Sequence, residues 1–144
     1  GIAKRLTRVP GQYVNPAFSP DGTQVVYVAS SGAAMRDHDL SDELWHEVRI
    51  VSAEGGAAQL VIATAVRGPN RRTPRPSFNA KGDRIYFVED DPDAKPLSIP
   101  SAQLVSVKLD GTDKRKRLQF GPAEEAAVSP NEQWVVIEND TTFM

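Results

Sequence analysis

Apolar residues along this chain gather in short runs of two kinds. Val25-Val26-Tyr27-Val28, Ile85-Tyr86-Phe87-Val88 and Trp134-Val135-Val136-Ile137 are apolar on consecutive positions and rich in β-branched and aromatic side chains. Runs so short and continuous suit inner strands covered on both faces. The segments His46 to Val51 and Gln103 to Leu109 alternate instead, with Val48 and Ile50 on one face and Glu47 and Arg49 on the other. That period of two predicts strands with one face half exposed. No stretch holds a helical period beyond a turn at Ser41 to Leu44, so the pattern predicts an all-β chain.

The continuous runs sit in a repeat. PAFSPDGTQVVYV (Pro16 to Val28), PSFNAKGDRIYFV (Pro76 to Val88) and AAVSPNEQWVVIE (Ala126 to Glu138) align without gaps, at phases of 60 and then 50 residues. Phe18, Phe78 and Val128 share a column, followed by Ser-Pro-Asp-Gly, Asn-Ala-Lys-Gly and Ser-Pro-Asn-Glu. Pro20 presets φ for the first turn position, Asp21 bonds its own backbone, and Gly22 supplies a positive φ. The product is a tight hairpin loop, a type I turn followed by a left-handed glycine. The second unit lacks Pro and Asp in this turn, and the third has Glu132 in the glycine column. A non-glycine residue at positive φ costs on the order of 1 kcal/mol; Asn131 is the alternative carrier of that conformation.

A second hairpin follows in the first two units. His46 to Val51 leads through Ala53-Glu54-Gly55-Gly56 to Gln59 to Ile62, and Gln103 to Leu109 leads through Asp110-Gly111 to Lys114 to Leu118. Each unit thus supplies four strands. Four-stranded units with Gly and Pro turns predict a β-propeller, where each blade buries its faces against its neighbours. An antiparallel sandwich is the lesser reading.

Counted in strands, residues 4–8 read as the outer strand of a preceding blade, 14–63 and 75–119 as blades, and 125–144 as an incomplete blade. Residues 1–144 would then be a partial propeller of about three blade equivalents, where complete propellers have about 4–8. The chain is expected to be a fragment of a longer propeller, or else one of two copies that complete a six-bladed ring as a homodimer. The fragment is preferred, since the chain opens on Gly1 in mid-pattern.

With Phe18 before Ser19-Pro20-Asp21-Gly22 and Val25 to Val28 after it, the sequence resembles the TolB-like, WD-repeat-like propeller family. The motif there is an aromatic residue, Ser-Pro-Asp-Gly and an apolar strand, and the likeness covers nearly the whole chain. It looks most like the N-terminal propellers of bacterial amidohydrolases. The residues behind that narrower likeness are Arg5-Leu6-Thr7 with Gly11-Gln12-Tyr13, Trp45-His46-Glu47-Val48 with Gly55-Gly56, Leu104 to Val107 with Leu109-Asp110-Gly111-Thr112, and Glu124-Glu125 before Ser129-Pro130. The resemblance implies a bacterial cell-envelope setting, periplasmic or otherwise extracytoplasmic, and a hydrolase domain after Met144 in the parent chain.

Composition removes several function classes. At 144 residues the chain is about one domain, and 25% charged with 40% hydrophobic residues are globular proportions. A net charge of −2 lacks the basic excess of a nucleic-acid binder. The absence of cysteine excludes a disulfide scaffold, a thiolate metal site and a cysteine nucleophile. No apolar run approaches the ~20 residues of a membrane span, so no membrane insertion is expected.

Groups that could bind a metal gather in the longest connection, Ser30 to Leu44. It holds Arg36, Asp37, His38, Asp39, Asp42 and Glu43. Asp37, His38 and Asp39 are the weak metal candidates, since imidazole and carboxylates bind divalent cations. Adjacent positions project in different directions unless the loop curls, so the plain reading is a solvated loop. Glu89-Asp90-Asp91-Pro92-Asp93 lacks calcium-loop spacing and reads as a solvated turn. The basic runs Lys114 to Arg117 and Arg71-Arg72-Thr73-Pro74-Arg75 carry no interleaved base-stacking aromatics. The first reads as an outer strand guarded against edge pairing, and acidic and basic clusters are expected to face one another across blades. Trp45, Trp134, Tyr13, Tyr27, Tyr86, Phe18, Phe78 and Phe87 are expected to pack between blades.

The sequence holds no HxH metal pair, no Gly-x-Ser-x-Gly elbow and no phosphate-binding glycine loop. Ser19 and Ser129 lie in the turn, where a hydroxyl bonds backbone. No catalytic residue and no cofactor is assigned. The expected function is a non-catalytic scaffold or protein-interaction module, whose partner is a protein or an attached hydrolase domain and not nucleic acid. The alternative is the gating or substrate-binding propeller of a prolyl-oligopeptidase-type serine peptidase.

Overall fold

The structure, a computed structural model, describes residues 3–9, 11–30, 45–65, 73–93, 101–121 and 125–138. Its strands are β1 (Gln12–Phe18), β2 (Gln24–Ser30), β3 (Trp45–Ser52), β4 (Gln59–Ala65), β5 (Ser77–Phe78), β6 (Arg84–Asp90), β7 (Ala102–Lys108), β8 (Arg115–Phe120), β9 (Glu125–Val128) and β10 (Val135–Glu138). β1 to β4 form one four-stranded sheet in chain order, β5 to β8 a second, and β9 with β10 a two-stranded sheet. Every pairing is antiparallel. No helix occurs among the described residues. The chain is all-β, and its sheets are successive blades of an unclosed propeller.

The repeat turn builds the first hairpin of each sheet. The Gly22 N–H donates to the Ser19 carbonyl (2.9 Å) and the Ser19 N–H to the Gln24 carbonyl (2.9 Å). The same two bonds recur in the Asn79–Arg84 and Ser129–Trp134 turns. Gly22 and Gly82 both have a φ of 71°. In the third turn the left-handed residue is Glu132, at 57°, and not Asn131. The reason lies in the closure: the N–H that returns to Ser129 belongs to residue 132 (2.8 Å), so that position must turn back whatever occupies it. Asn131 instead copies Asp21. Each accepts a hydrogen bond from the serine hydroxyl and another from the backbone N–H two residues on.

The sheets stack face to face. Val26, Val28, Val48 and Ile50 of the first blade meet Ile85, Phe87, Val105 and Val107 of the second. Tyr86, Val88, Ala102 and Leu104 on the second blade's other face meet Ala126 and Val128 of the third. Burial of a side chain such as Phe87, only 1% exposed, contributes about 1.5–3 kcal/mol.

Two expectations need correction. β7 is not half exposed: Ala102 to Val107 are all buried, because its sheet lies between two others. The 4–8 segment forms no strand, since a strand requires a ladder and none lies beside it among the described residues. It runs over the free side of the first blade, where Leu6 packs near Val25, Tyr27 and Val51, and Lys4 meets Glu54 at 2.6 Å. The continuous run Trp134 to Ile137 has one face toward the second blade, and no further sheet lies against its other face among the described residues.

Candidate interaction surface

The described residues offer two features with potential for recognition: the polar seams between blades and the open side of the third blade. Two seam bonds and one bond within the second blade come from backbone geometry that sequence rules disfavour. Asn15, Asp113 and Glu132 are the positive-φ residues other than glycine among the described positions. Each spends its side chain on a tertiary bond. Asn15 lies where the β1–β2 register shifts, and its Nδ2 donates across the first seam to the Pro74 carbonyl (2.8 Å). Asp113 accepts from Arg84 Nη1 (2.8 Å) and Arg115 Nε (2.8 Å). Glu132 accepts across the second seam from Asn79 Nδ2 (3.0 Å) and the Tyr86 hydroxyl (2.8 Å). Strain held by surrounding contacts is a recurring mark of positions with a task.

Behind Tyr86 lies a buried polar knot. The Ser106 hydroxyl, fully buried, accepts from Arg117 Nε (2.7 Å) and from Arg84 Nη2 (3.2 Å). Arg117 also sits over the Tyr86 ring, 5.6 Å from its centroid, within cation–π range. Arg115 and then Arg84 hold the Asp113 carboxyl at about 2, far below its ordinary value. Burial and the Glu132 bond push the Tyr86 hydroxyl up, while the Asn79 amide and the Tyr86 hydroxyl hold the Glu132 carboxyl down. An ion pair between Arg75 and Glu125 also crosses this second seam.

At the first seam the outer rim is tight. Gln59 Nε2 donates to the Leu109 carbonyl (3.4 Å), and the next turn brings Gly111, at a φ of 82°, against β4. A Cβ on Gly111 would stand 2.2 Å from the Val61 carbonyl oxygen.

The open side of the third blade is mixed, with Trp134, Val136 and Ala127 beside the carboxylates Glu125 and Glu138. Val135 pairs with Val128 and Ile137 with Ala126, so these share the face toward the second blade. Trp134 and Val136 fall on the other face and are 71% and 70% exposed. The far edge of β10 has no strand partner among the described residues. On the first blade's free side an apolar crevice of about 140 Å³ is lined by Leu6, Tyr13, Pro16 and Tyr27, with the two tyrosine rings edge-to-face at 5.6 Å.

Asp37, His38 and Asp39, with the rest of 31–44, lie outside the described residues, as do Arg71 and Arg72. The acidic turn and the basic run meet within one blade and not across blades, because both border the second sheet. Glu89 pairs with Lys114 (2.7 Å), and Asp91 accepts from Ser101 (3.2 Å) and Gln119 (2.6 Å). Lys114 to Arg117 opens onto β8, the outer strand of that sheet. No group of three or more His, Asp or Glu placed to hold a metal ion occurs among the described residues. The Ser19 and Ser129 hydroxyls accept from the Gln24 and Trp134 N–H groups (2.9 Å each). Of the aromatics expected between blades, Tyr86 and Phe87 pack there, whereas Trp134 and Phe18 (69%) are exposed. The side chain of Trp45 lies outside the described set. Sequence reasoning missed Glu132 as a link between blades. Its only signal was a carboxylate in a glycine column.

No protein-family model matches the chain, and no curated protein matches it. Among solved structures its fold is similar to that of a protein from Agrobacterium tumefaciens assigned as TolB, at 16% identity and a TM-score of 0.59. The match covers 93% of this chain and 45% of that one, so the chain spans less than half the length of that structure. The likeness is one of fold.

Proposed function

We propose that the chain is a non-catalytic β-propeller module that offers a surface to a protein partner. The observation that supports this reading is the stack of four-stranded antiparallel sheets and its likeness in fold to the TolB structure. Trp134 and Val136, exposed on the last described sheet, lie where a further blade would pack. The acidic turn and the basic run engage one another and nearby amides, and do not converge on a common hollow. Resemblance to TolB-like and amidohydrolase propellers supplies the setting: the bacterial cell envelope, outside the cytoplasm, within a larger protein that carries a hydrolase domain beyond Met144. The remaining blades come from that longer chain; a second copy closing a six-bladed ring is the competing source.

The natural coding sequence downstream of Met144 tests the parent. An HxH metal-binding barrel is expected there. A Gly-x-Ser-x-Gly hydrolase would instead make this the gating propeller of a serine peptidase. Sedimentation of the isolated chain separates the two sources of blades, a folded monomer ruling out the homodimer. Turnover on a hydrolase panel, abolished by a point substitution in this chain, would overturn the non-catalytic reading.

A further inference from the structure

The repeat turns of successive blades lie side by side, and they meet in two different ways. At the first seam a Cβ on Gly82 would stand 3.5 Å from Pro20 Cδ, so the proline of one turn packs over the glycine of the next. At the second seam the corresponding residues are Ala80 and Glu132. We propose that these two departures are a single exchange, in which a proline-on-glycine contact is replaced by a carboxylate clasp that loosens the third blade on acidification.

The geometry supports both halves. Alanine in place of proline removes the ring that covers the glycine position at the first seam. Glu132 then turns back with a φ of 57°, and its two carboxylate oxygens take separate donors on the preceding blade, Asn79 Nδ2 and the Tyr86 hydroxyl. Asn79 is itself the first residue of the second turn, and its Oδ1 accepts from the Asp83 and Arg84 N–H groups. The clasp therefore ties turn to turn. Neither Gly22 nor Gly82 has a side chain with which to do the same.

The direction of the pH response follows from the charges around the carboxylate. Asn79 and Tyr86 bond its ionised form, and Arg117 and Lys81 attract it. Opposing them, Asp83 competes for the same Asn79 amide (2.7 Å). Asn131 and Gln133 in its own turn are uncharged. Glu132 thus titrates lower in the folded chain than when unfolded. Its contribution is complete above the ordinary glutamate range and is lost as pH falls through the lowered value. Glu125, paired with Arg75, is a second carboxylate across this seam among the described residues and must be controlled for.

Hydrogen-exchange protection of residues 125–138, measured against that of 84–90 in the same molecule at pH 6 and pH 3, tests the proposal. Wild type is expected to lose about five- to tenfold of its relative protection on acidification, the range for charged hydrogen bonds at a partly exposed site. Glu132→Gln, neutral at both pH values, should lose little. The paired variant Ala80→Pro/Glu132→Gly, which restores the arrangement of the first seam, should keep the segment protected with no pH step. Glu125→Gln should retain the wild-type step. An equal step in the paired variant, or a step abolished by Glu125→Gln alone, would overturn the clasp.

Discussion

Val26 and Val136 stand in the same column of the repeat, in strands of nearly the same composition, yet one is 0% exposed and the other 70%. The turn before each closes with the same hydrogen bonds, and each strand pairs with the strand before it. What differs is the neighbour. β2 has β3 at its edge and a second sheet over its face; β10 has neither among the described residues. The motif encodes a strand, and the next blade determines what that strand is worth.

Substitutions down the columns test that contrast most severely. Phe87→Ala, at the centre of the first seam, should cost about 3–5 kcal/mol by urea denaturation. Val26→Ala should cost about 2–3 kcal/mol, whereas Val136→Ala should stay within about 0.5 kcal/mol. Equal losses at 26 and 136 would mean that the third blade is covered after all. Gly111→Ala comes next, at about 1–3 kcal/mol, since it combines a positive φ with the missing space beside Val61.

The contrast between turns gives smaller effects with a definite sign. Glu132→Ala should be less stable than Glu132→Gly by about 1 kcal/mol, because both lose the clasp and only alanine keeps the backbone strain. Measured midpoints in the reverse order would remove the strain. The smallest effect concerns acid. Ser19 and then Thr23 hold the Asp21 carboxyl at about 2 in the folded chain. Its stabilisation is therefore present above the ordinary aspartate range and fades as pH falls from about 4 toward 2. Asp21→Asn, which copies Asn131, should flatten that part of the urea-midpoint profile.

The hairpins were legible in the sequence because their causes are local. Pro20, Asp21 and Gly22 act within a few residues of one another, and three aligned units expose the period. Burial was less legible. Gln103 and Ser106 break the apolar run of β7 on opposite faces, yet both are buried. The partners that make this tolerable, Arg84 and Arg117 for Ser106 and Glu89 for Gln103, come from the flanking strands. Trp134 looked like packing material and stands exposed, since an open blade leaves its face uncovered. Glu132 looked like a defect in a turn. Its partners lie 46 and 53 residues away in the chain, beyond the reach of any local rule.

Gly111 has a consequence for the angle between the first two blades. A propeller closes by repeating one rotation, so the wedge angle at each seam must divide the circle. The turn holding Gly111 touches β4, the outermost strand of the preceding blade, with no room for a methyl group. A side chain there would act as a shim driven into the rim, opening the fan at that seam and leaving the others to make up the difference. The hydrogen atom in place of a side chain at 111 is thus a gauge that sets the pitch between the first two blades.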